Sequence, residues 1–244
     1  MGSLRAALGD GGGPPPAPGG VPEVEGLSRV VAAFDLDRTL TRRDTLALFL
    51  LRATGRAATG RAVLTLSLRL ALGLTGDGRR DAAKEALLVR LLAGRDLATL
   101  SAVAEAFAGE VIASHLRSDT LARLEWHRTQ GHHVVIVSAS PELYVTPLGR
   151  RLGVDVLATR LEVGSDGRLT GRLAGQNCRG AEKALRLREH LGPEPVTLVA
   201  YGDSKGDRQL LAMAQTAVWV GRRALPLQLE EVAEHPADGE EGLG

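Results

Sequence analysis

Residues 29–39 read Arg29-Val30-Val31-Ala32-Ala33-Phe34-Asp35-Leu36-Asp37-Arg38-Thr39, a short apolar run closed by two acids two positions apart. An unbroken apolar run of this length reads as a strand buried on both faces, the kind that parallel sheets use. The acids then stand at its carboxyl end, where open α/β sheets bind their ligands. The pattern recurs at His133–Ser138 (HVVIVS) and Val196–Tyr201 (VTLVAY), and more weakly at Asp155–Thr159 and Ala217–Val220. Pro141–Leu152 and Ala181–Leu191 carry apolar residues at helical spacing. The fold class expected is α/β, a parallel sheet with helices on both faces.

Two segments depart from strand–helix alternation. Nearly a hundred residues separate the first two strands, too many for a simple crossover. Asp44–Ala53, Arg61–Leu72, Asp81–Leu92 and Asp96–His115 read as helices divided by glycines, with Asp96 as an N-cap and Asp119–Gln130 leading back. Residues 44–116 are thus expected to form an inserted helical cap, with 28–43 and 117–224 as the core domain. Glu162–Ala174 alternates around Ser165-Asp166-Gly167 and predicts a β-hairpin projecting from the sheet. At the ends, the Gly/Pro-rich residues 1–27 are expected to be a disordered leader without a signal peptide's apolar region, and residues 235–244 an acidic disordered tail. A cytoplasmic location is the default expectation.

Composition narrows the function. The 244 residues carry a net charge of +1, which argues against a nucleic-acid binder. One cysteine, Cys178, excludes an intramolecular disulfide and a multi-cysteine metal site, and seven aromatic residues leave little for base-stacking platforms. The absence of an apolar run of about 20 residues predicts no transmembrane segment. Arginine outnumbers lysine 27 to 3, which draws attention to each lysine. The charge is uneven: residues 42–96 hold eleven lysines and arginines against five acids, while six acids and no lysine or arginine follow Arg223. A basic cap above an acidic sheet edge would draw in an anionic substrate.

Four polar features fall at strand or helix ends: Asp35 to Thr39, Ser138-Ala139-Ser140, Lys183, and Gly202-Asp203-Ser204-Lys205-Gly206-Asp207. Two aspartates two apart can divide labour, one attacking and its neighbour moving protons. The hard oxygen donors of Asp35 and Asp203 suit Mg²⁺, which pairs with phosphate. A serine and a lone lysine aimed at the same point would hold phosphoryl oxygens. Taken singly, each aspartate is as well explained by turn formation or helix capping.

The set resembles the haloacid-dehalogenase-like superfamily of phosphohydrolases. Its four motifs stand here as DLDRT (35–39), SAS (138–140), Lys183 within CRGAEK, and GDSKGD (202–207), and the likeness spans about residues 28–223. A Rossmann-like parallel sheet with a helical C1-type cap between the first two motifs resembles subfamily IB and its phosphoserine phosphatases. The resemblance implies a Mg²⁺-dependent phosphomonoester hydrolase with Asp35 as nucleophile and Asp37 as general acid/base. It implies Mg²⁺ on the carboxylates of Asp35 and Asp203 and the Asp37 backbone carbonyl, with Asp207 orienting metal waters or Lys183. Ser138, Ala139 and Lys183 would bind the phosphoryl group, and Asp44, Ser140 and Ser204 would contact the rest of the substrate.

Departures bear on the substrate. Phosphoserine phosphatases usually have Glu at the position of Asp44, Gly-Gly after the motif-two serine, and Asn at that of Gly206. The substrate expected is a small phosphorylated metabolite, phosphoserine among the options. A lipid headgroup phosphate of the phosphatidylglycerophosphate kind is the alternative, with the apolar stretch Ala62–Leu74 as an interfacial helix at a membrane surface or as a helix packed within the cap. A non-catalytic phosphate-binding module and transfer to an acceptor other than water also stay open. Among the remaining residues, His132 and His133 are expected to be solvated, with no acid at ligand spacing, and Trp126 and Trp219 to pack in the core. Nothing in the sequence bears on oligomeric state.

Overall fold

The structure, a computed structural model, describes residues 29–71, 79–221 and 223–225. The expected leader at 1–27, the acidic tail at 235–244 and the side chains of the apolar stretch beyond residue 65 lie outside the described residues. Strands β1 (Arg29–Phe34), β2 (His133–Pro141), β3 (Asp155–Thr159), β6 (Val196–Gly202) and β7 (Thr216–Trp219) form one parallel sheet in the order β3-β2-β1-β6-β7. β4 (Leu161–Val163) and β5 (Leu169–Leu173) pair antiparallel as a separate hairpin.

The apolar runs follow from double-sided burial. Along β1, Val31 and Ala33 face one cluster with Val135, Val137, Leu198 and Ala200; Ala32 and Phe34 face the other with Val134, Ile136, Val199 and Tyr201. Period-two alternation sends neighbours to opposite faces, so a strand covered on both must be apolar throughout. Helices α7 (Ala181–Leu191) and α8 (Arg208–Ala212) cover the first face through Leu187, Leu191, Leu210 and Leu211. Helix α5 (Ser118–Thr129) covers the second through Leu124, and α6 (Glu142–Leu152) through Tyr144 and Leu148.

The insert holds α1 (Thr45–Thr54), α2 (Arg56–Ala71), α3 (Arg79–Leu92) and α4 (Leu97–Ser114). Its two ends run side by side: Thr41 bridges Leu116, Arg42 N–H donates to the His115 carbonyl, and Arg117 N–H donates to that of Leu40. Asp96 caps α4 by accepting from Thr99 N–H at 2.8 Å. Helix α4 is long and apolar enough to cross a membrane by length and composition, but Ala104, Phe107, Ala108 and Val111 lie in the main core. Leu50, Ala62, Leu88, Leu91, Leu92 and Leu100 form a third cluster with Leu169 of the hairpin. The hairpin therefore docks on the cap helices as well as leaving the sheet, with Gly94 N–H donating to the Leu169 carbonyl and Leu169 N–H to that of Arg95.

Two expectations for single residues fail. Trp219 is 43% exposed, because alternation along the edge strand β7 turns Val218 inward and Trp219 outward. Trp126 is half-buried, edge-on to His127 and His132. The histidines are not simply solvated: His132 Nδ1 lies 2.8 Å from His127 Nδ1, and His133 meets His190 and Asp155. The sequence spacing hid these partners because they come from other elements.

Gly171 has φ +79°, and a Cβ there would lie 2.4 Å from the Val89 backbone Cα of α3. Gly171→Ala should cost about 2 kcal/mol or more, read as a lower midpoint in denaturant unfolding. His127 is fully buried between His132 and the Tyr201 hydroxyl, and burial, then the charges of His132 and Arg123, push its pKa down to about 3. The unfolded chain protonates this imidazole near pH 6.5, so between there and about 3 the unfolded state binds more protons. Folding stability should therefore fall as pH falls through that window, with at most about 1.4 kcal/mol per pH unit from this group. Denaturant unfolding at pH 7 and pH 5 should show a smaller loss for His127→Gln than for the wild type.

Candidate active site

The sheet order sets β1 beside β6, so the acids that follow the two strands converge. Asp35 N–H donates to the Tyr201 carbonyl at 2.9 Å, fixing where β1 ends. Gly202 ends β6, and a Cβ there would stand 2.6 Å from the Asp207 Cβ, so glycine is what lets Asp207 fold back against the strand. The single turn Lys205–Asp207 is closed by a capping box: Ser204 Oγ accepts from Gly206 N–H, and Ser204 N–H donates to Asp207 Oδ2 at 3.1 Å.

Lys183, in the first turn of α7, reaches into this corner. Its Nζ donates to Asp35 Oδ1 at 2.5 Å and Asp207 Oδ1 at 2.6 Å, and all three side chains are buried. Desolvation opposes its charge, but the two carboxylates outweigh it and hold the ammonium protonated. Burial raises the Asp35 pKa; Lys183 pulls it down while Asp207 and Asp37 push it up.

Asp37 has other surroundings. The wide turn Leu36–Leu40 places Arg38 at φ +65°, a left-handed conformation uncommon outside glycine. The Asp37 carboxylate turns away from Lys183: Oδ1 accepts from Thr45 N–H and Thr45 Oγ, both at 2.6 Å, and Oδ2 from Ser140 Oγ at 2.5 Å. Burial, then the Asp44 charge, raises its pKa, with the Ser140 and Thr45 hydrogen bonds opposing.

The other sequence-selected residues separate into two sets. Ser138 is buried within β2, which runs three residues further to Pro141, and its Oγ accepts from Ser140 N–H at 3.0 Å. Asp44 is exposed and caps α1 by accepting from Leu46 N–H. Ser204 donates its hydroxyl to Asp207 Oδ2 at 2.8 Å, so that group is occupied in shaping the loop. The Ala139 carbonyl accepts from Lys84 Nζ and from Thr159 Oγ.

Lys84, Asn177 and Thr45 carry no motif and went unassigned. Lys84 comes from α3 in the insert and donates to Asn177 Oδ1 at 2.6 Å as well as to Ala139; Asn177 Nδ2 donates back to Asp81 of the same helix at 2.7 Å. Burial lowers the Lys84 pKa to about 8 against the pull of Asp81, Asp37 and Asp44. The scarcity of lysine was the only signal in the sequence that pointed to it.

Carboxylate oxygens of Asp35, Asp203 and Asp207 lie within 4.8 Å of one another. Asp203 also pairs with Arg38 Nε at 3.0 Å, and burial raises its pKa. Four acids (Asp35, Asp37, Asp203, Asp207) face fewer fixed cations, and their donors are all hard oxygens. This set fits Mg²⁺. Beside Asp203 a cleft of about 640 Å³ opens, lined in part by Arg38, Arg42 and Arg117.

A family model described as haloacid dehalogenase-like hydrolase matches residues 32–212. Protein CicA of Caulobacter vibrioides is 41% identical over 191 residues, covering 78% of this chain and 85% of CicA. A phosphoserine phosphatase of Mycobacterium tuberculosis is 32% identical over 146 residues, covering 58% of this chain and 45% of its own. Among solved structures, a protein of unknown function from Bordetella pertussis superposes with a TM-score of 0.66 at 28% identity, covering 79% of this chain and 90% of that one. With the four motifs gathered at one sheet edge and both motif-one acids present, the chain belongs to the haloacid dehalogenase-like hydrolase family.

Proposed function

We propose that the protein is a Mg²⁺-dependent phosphomonoesterase that works through an aspartyl-phosphate on Asp35. The observation that carries this reading is the contrast between the two acids two residues apart. Asp35 accepts from the Lys183 ammonium, whose charge opposes the rise to about 7 that burial drives; Asp37 lies instead on hydroxyl and amide donors, its pKa raised by burial, as a proton donor requires. Asp35 Oδ attacks phosphorus and the ester oxygen leaves with the proton of Asp37. Asp37, now ionised, takes a proton from the water that hydrolyses the acyl phosphate, returning both groups to their starting state. Lys183 and Ser138 hold phosphoryl oxygens, and the insert at 44–116 closes over them as the cap. Bound on Asp35, Asp203 and the Asp37 carbonyl, Mg²⁺ would supply Lewis-acid neutralisation of the phosphoryl charge.

The leaving group lies on the Asp37 side, and so do Lys84 and Asp44, one cation and one anion. A small metabolite with both an amino and a carboxylate group, such as phosphoserine, suits that pair. Asp44 is one methylene shorter than the Glu usual in phosphoserine phosphatases, so a somewhat different aminoacyl backbone also fits.

Purified protein with Mg²⁺ should release phosphate from a generic aryl phosphate, be blocked by beryllium fluoride, and lose about a thousandfold or more in Asp35→Asn. Equal turnover by that variant would overturn the mechanism. A substrate panel resolves the leaving group: O-phosphoserine carries both charges, phosphoethanolamine only the amine, phosphoglycolate only the carboxylate, glycerol 3-phosphate neither. Lys84→Met should raise KM about tenfold or more for phosphoserine and phosphoglycolate while leaving phosphoethanolamine within about twofold. Preference for phosphatidylglycerophosphate in vesicles would instead support the lipid alternative, to which exposed Val63 and Leu64 on α2 would contribute.

A further inference from the structure

The sheet has a second cluster of metal-ligating groups at the edge opposite Asp35. His133 opens β2, Asp155 opens β3 and His190 lies in the last turn of α7. His133 Nε2 is 3.2 Å from His190 Nε2, and each is 3.3 Å from the same oxygen, Asp155 Oδ2. The two rings lie nearly parallel, 25° apart with centroids at 5.5 Å, and their Nε2 atoms converge on that oxygen.

The triangle has a chemical meaning. Tetrahedral Zn²⁺ holds nitrogen and oxygen ligands at about 2.0–2.1 Å, which sets neighbouring ligand atoms about 3.3–3.4 Å apart. Three atoms spaced at 3.2, 3.3 and 3.3 Å thus outline one face of such a tetrahedron, with the fourth position toward solvent. Charge attraction alone would not hold an ion here, since the one carboxylate is offset by Arg29, which faces His133. Imidazole donors instead select a borderline transition ion over Mg²⁺ or Ca²⁺. His133, at 30% side-chain exposure, and His190, at 27%, leave an entry path.

We propose that His133, Asp155 and His190 bind Zn²⁺ with water as the remaining ligand, a site separate from the phosphatase centre. It ties the last turn of α7 to the amino ends of β2 and β3. Lys183 lies seven residues earlier on the same helix, two turns or about 10 Å away. Zinc here therefore anchors the far end of the helix that carries the Lys183 ammonium to Asp35.

Zn²⁺ also competes for carboxylates at the Mg²⁺ centre, so the test uses a chain in which Asp35→Asn and Asp203→Asn disable it. In competition with a chromogenic zinc indicator at pH 7.5, this chain should bind one Zn²⁺ per molecule. Adding His190→Ala or His133→Ala should weaken that binding tenfold or more, and Asp155→Asn should weaken it less. Zn²⁺ should raise the thermal midpoint of the Asp35/Asp203 variant but not of the same chain carrying His190→Ala, whose retained circular dichroism spectrum reports a folded protein. Loss of the bound equivalent with folding intact supports the site. Stoichiometry and affinity unchanged in both histidine variants, or no Zn²⁺ bound by the parent chain, would overturn it.

Discussion

A lysine ammonium buried between two carboxylates is the interaction on which the arrangement depends. Removing three charges from water is costly, and the attraction between them offsets this only where geometry and hydrogen bonding are near ideal. The Lys183–Asp35–Asp207 triad meets that condition with contacts of 2.5 and 2.6 Å, and the outer oxygen of Asp207 is taken by Ser204. Each partner comes from a different element: the end of β1, the first turn of α7 and the turn after β6. No local preference could bring them together. The parallel sheet does so, by pairing β1 with β6 in full register from Arg29↔Val196 to Phe34↔Tyr201 and packing α7 beneath the same pair. The double-sided core is in this sense what makes the triad affordable, because an error of an ångström would leave a buried charge unpaired.

The second acid escapes that triad only because the chain bends. Left-handed Arg38 follows Asp37, and the carboxylate swings to Thr45 at the start of α1. The first helix of the insert therefore begins on the residue that anchors the Asp37 carboxylate. Asp81 and Lys84 of α3 then grip Asn177, and Lys84 reaches the Ala139 carbonyl beside Ser138. The insert helices and the Asp37 carboxylate are coupled through a handful of hydrogen bonds, so a movement of the helices would be felt at Asp37 before Asp35.

How much of this was legible follows from how each feature is encoded. The strands expected at 133–138 and 196–201, and the one that opens at Arg29, were readable because double-sided burial writes an unbroken apolar run, though β2 runs on to Pro141 and β6 to Gly202. The positions of Asp35 and Asp203 were readable because each directly follows a strand, and that of Lys183 because it stands in the first turn of a helix. The helices of the insert showed through their glycines and the Asp96 N-cap. Lys84, Asn177 and the His133–Asp155–His190 cluster were not readable, since their partners lie 18 to 96 residues away and only the topology brings them together, and Thr45 was not because its bond to Asp37 depends on the bend at Arg38. Trp219 misled for a related reason: an edge strand and a central strand look alike over four residues, and only the pairing order tells them apart.

The near-zero net charge conceals a division that the geometry makes physical. Asp35 is only 6% exposed, and Lys84, the cation nearest the leaving-group side, is satisfied by neutral oxygens of Ala139 and Asn177. A hydrogen bond from an ammonium to a carboxylate or phosphate is roughly twice as strong as one to a neutral carbonyl. A doubly anionic substrate thus offers Lys84 a better partner than the protein itself does, while its phosphoryl group takes the ammonium of Lys183. Only the first exchange replaces neutral contacts by a charge-matched one, since Lys183 already stands between two carboxylates. A neutral alcohol phosphate completes only the second exchange and must leave Lys84 on Ala139 and Asn177. On the proposed function, selection among phosphoesters therefore falls to the helix that carries Lys84, and the chemistry to the sheet edge.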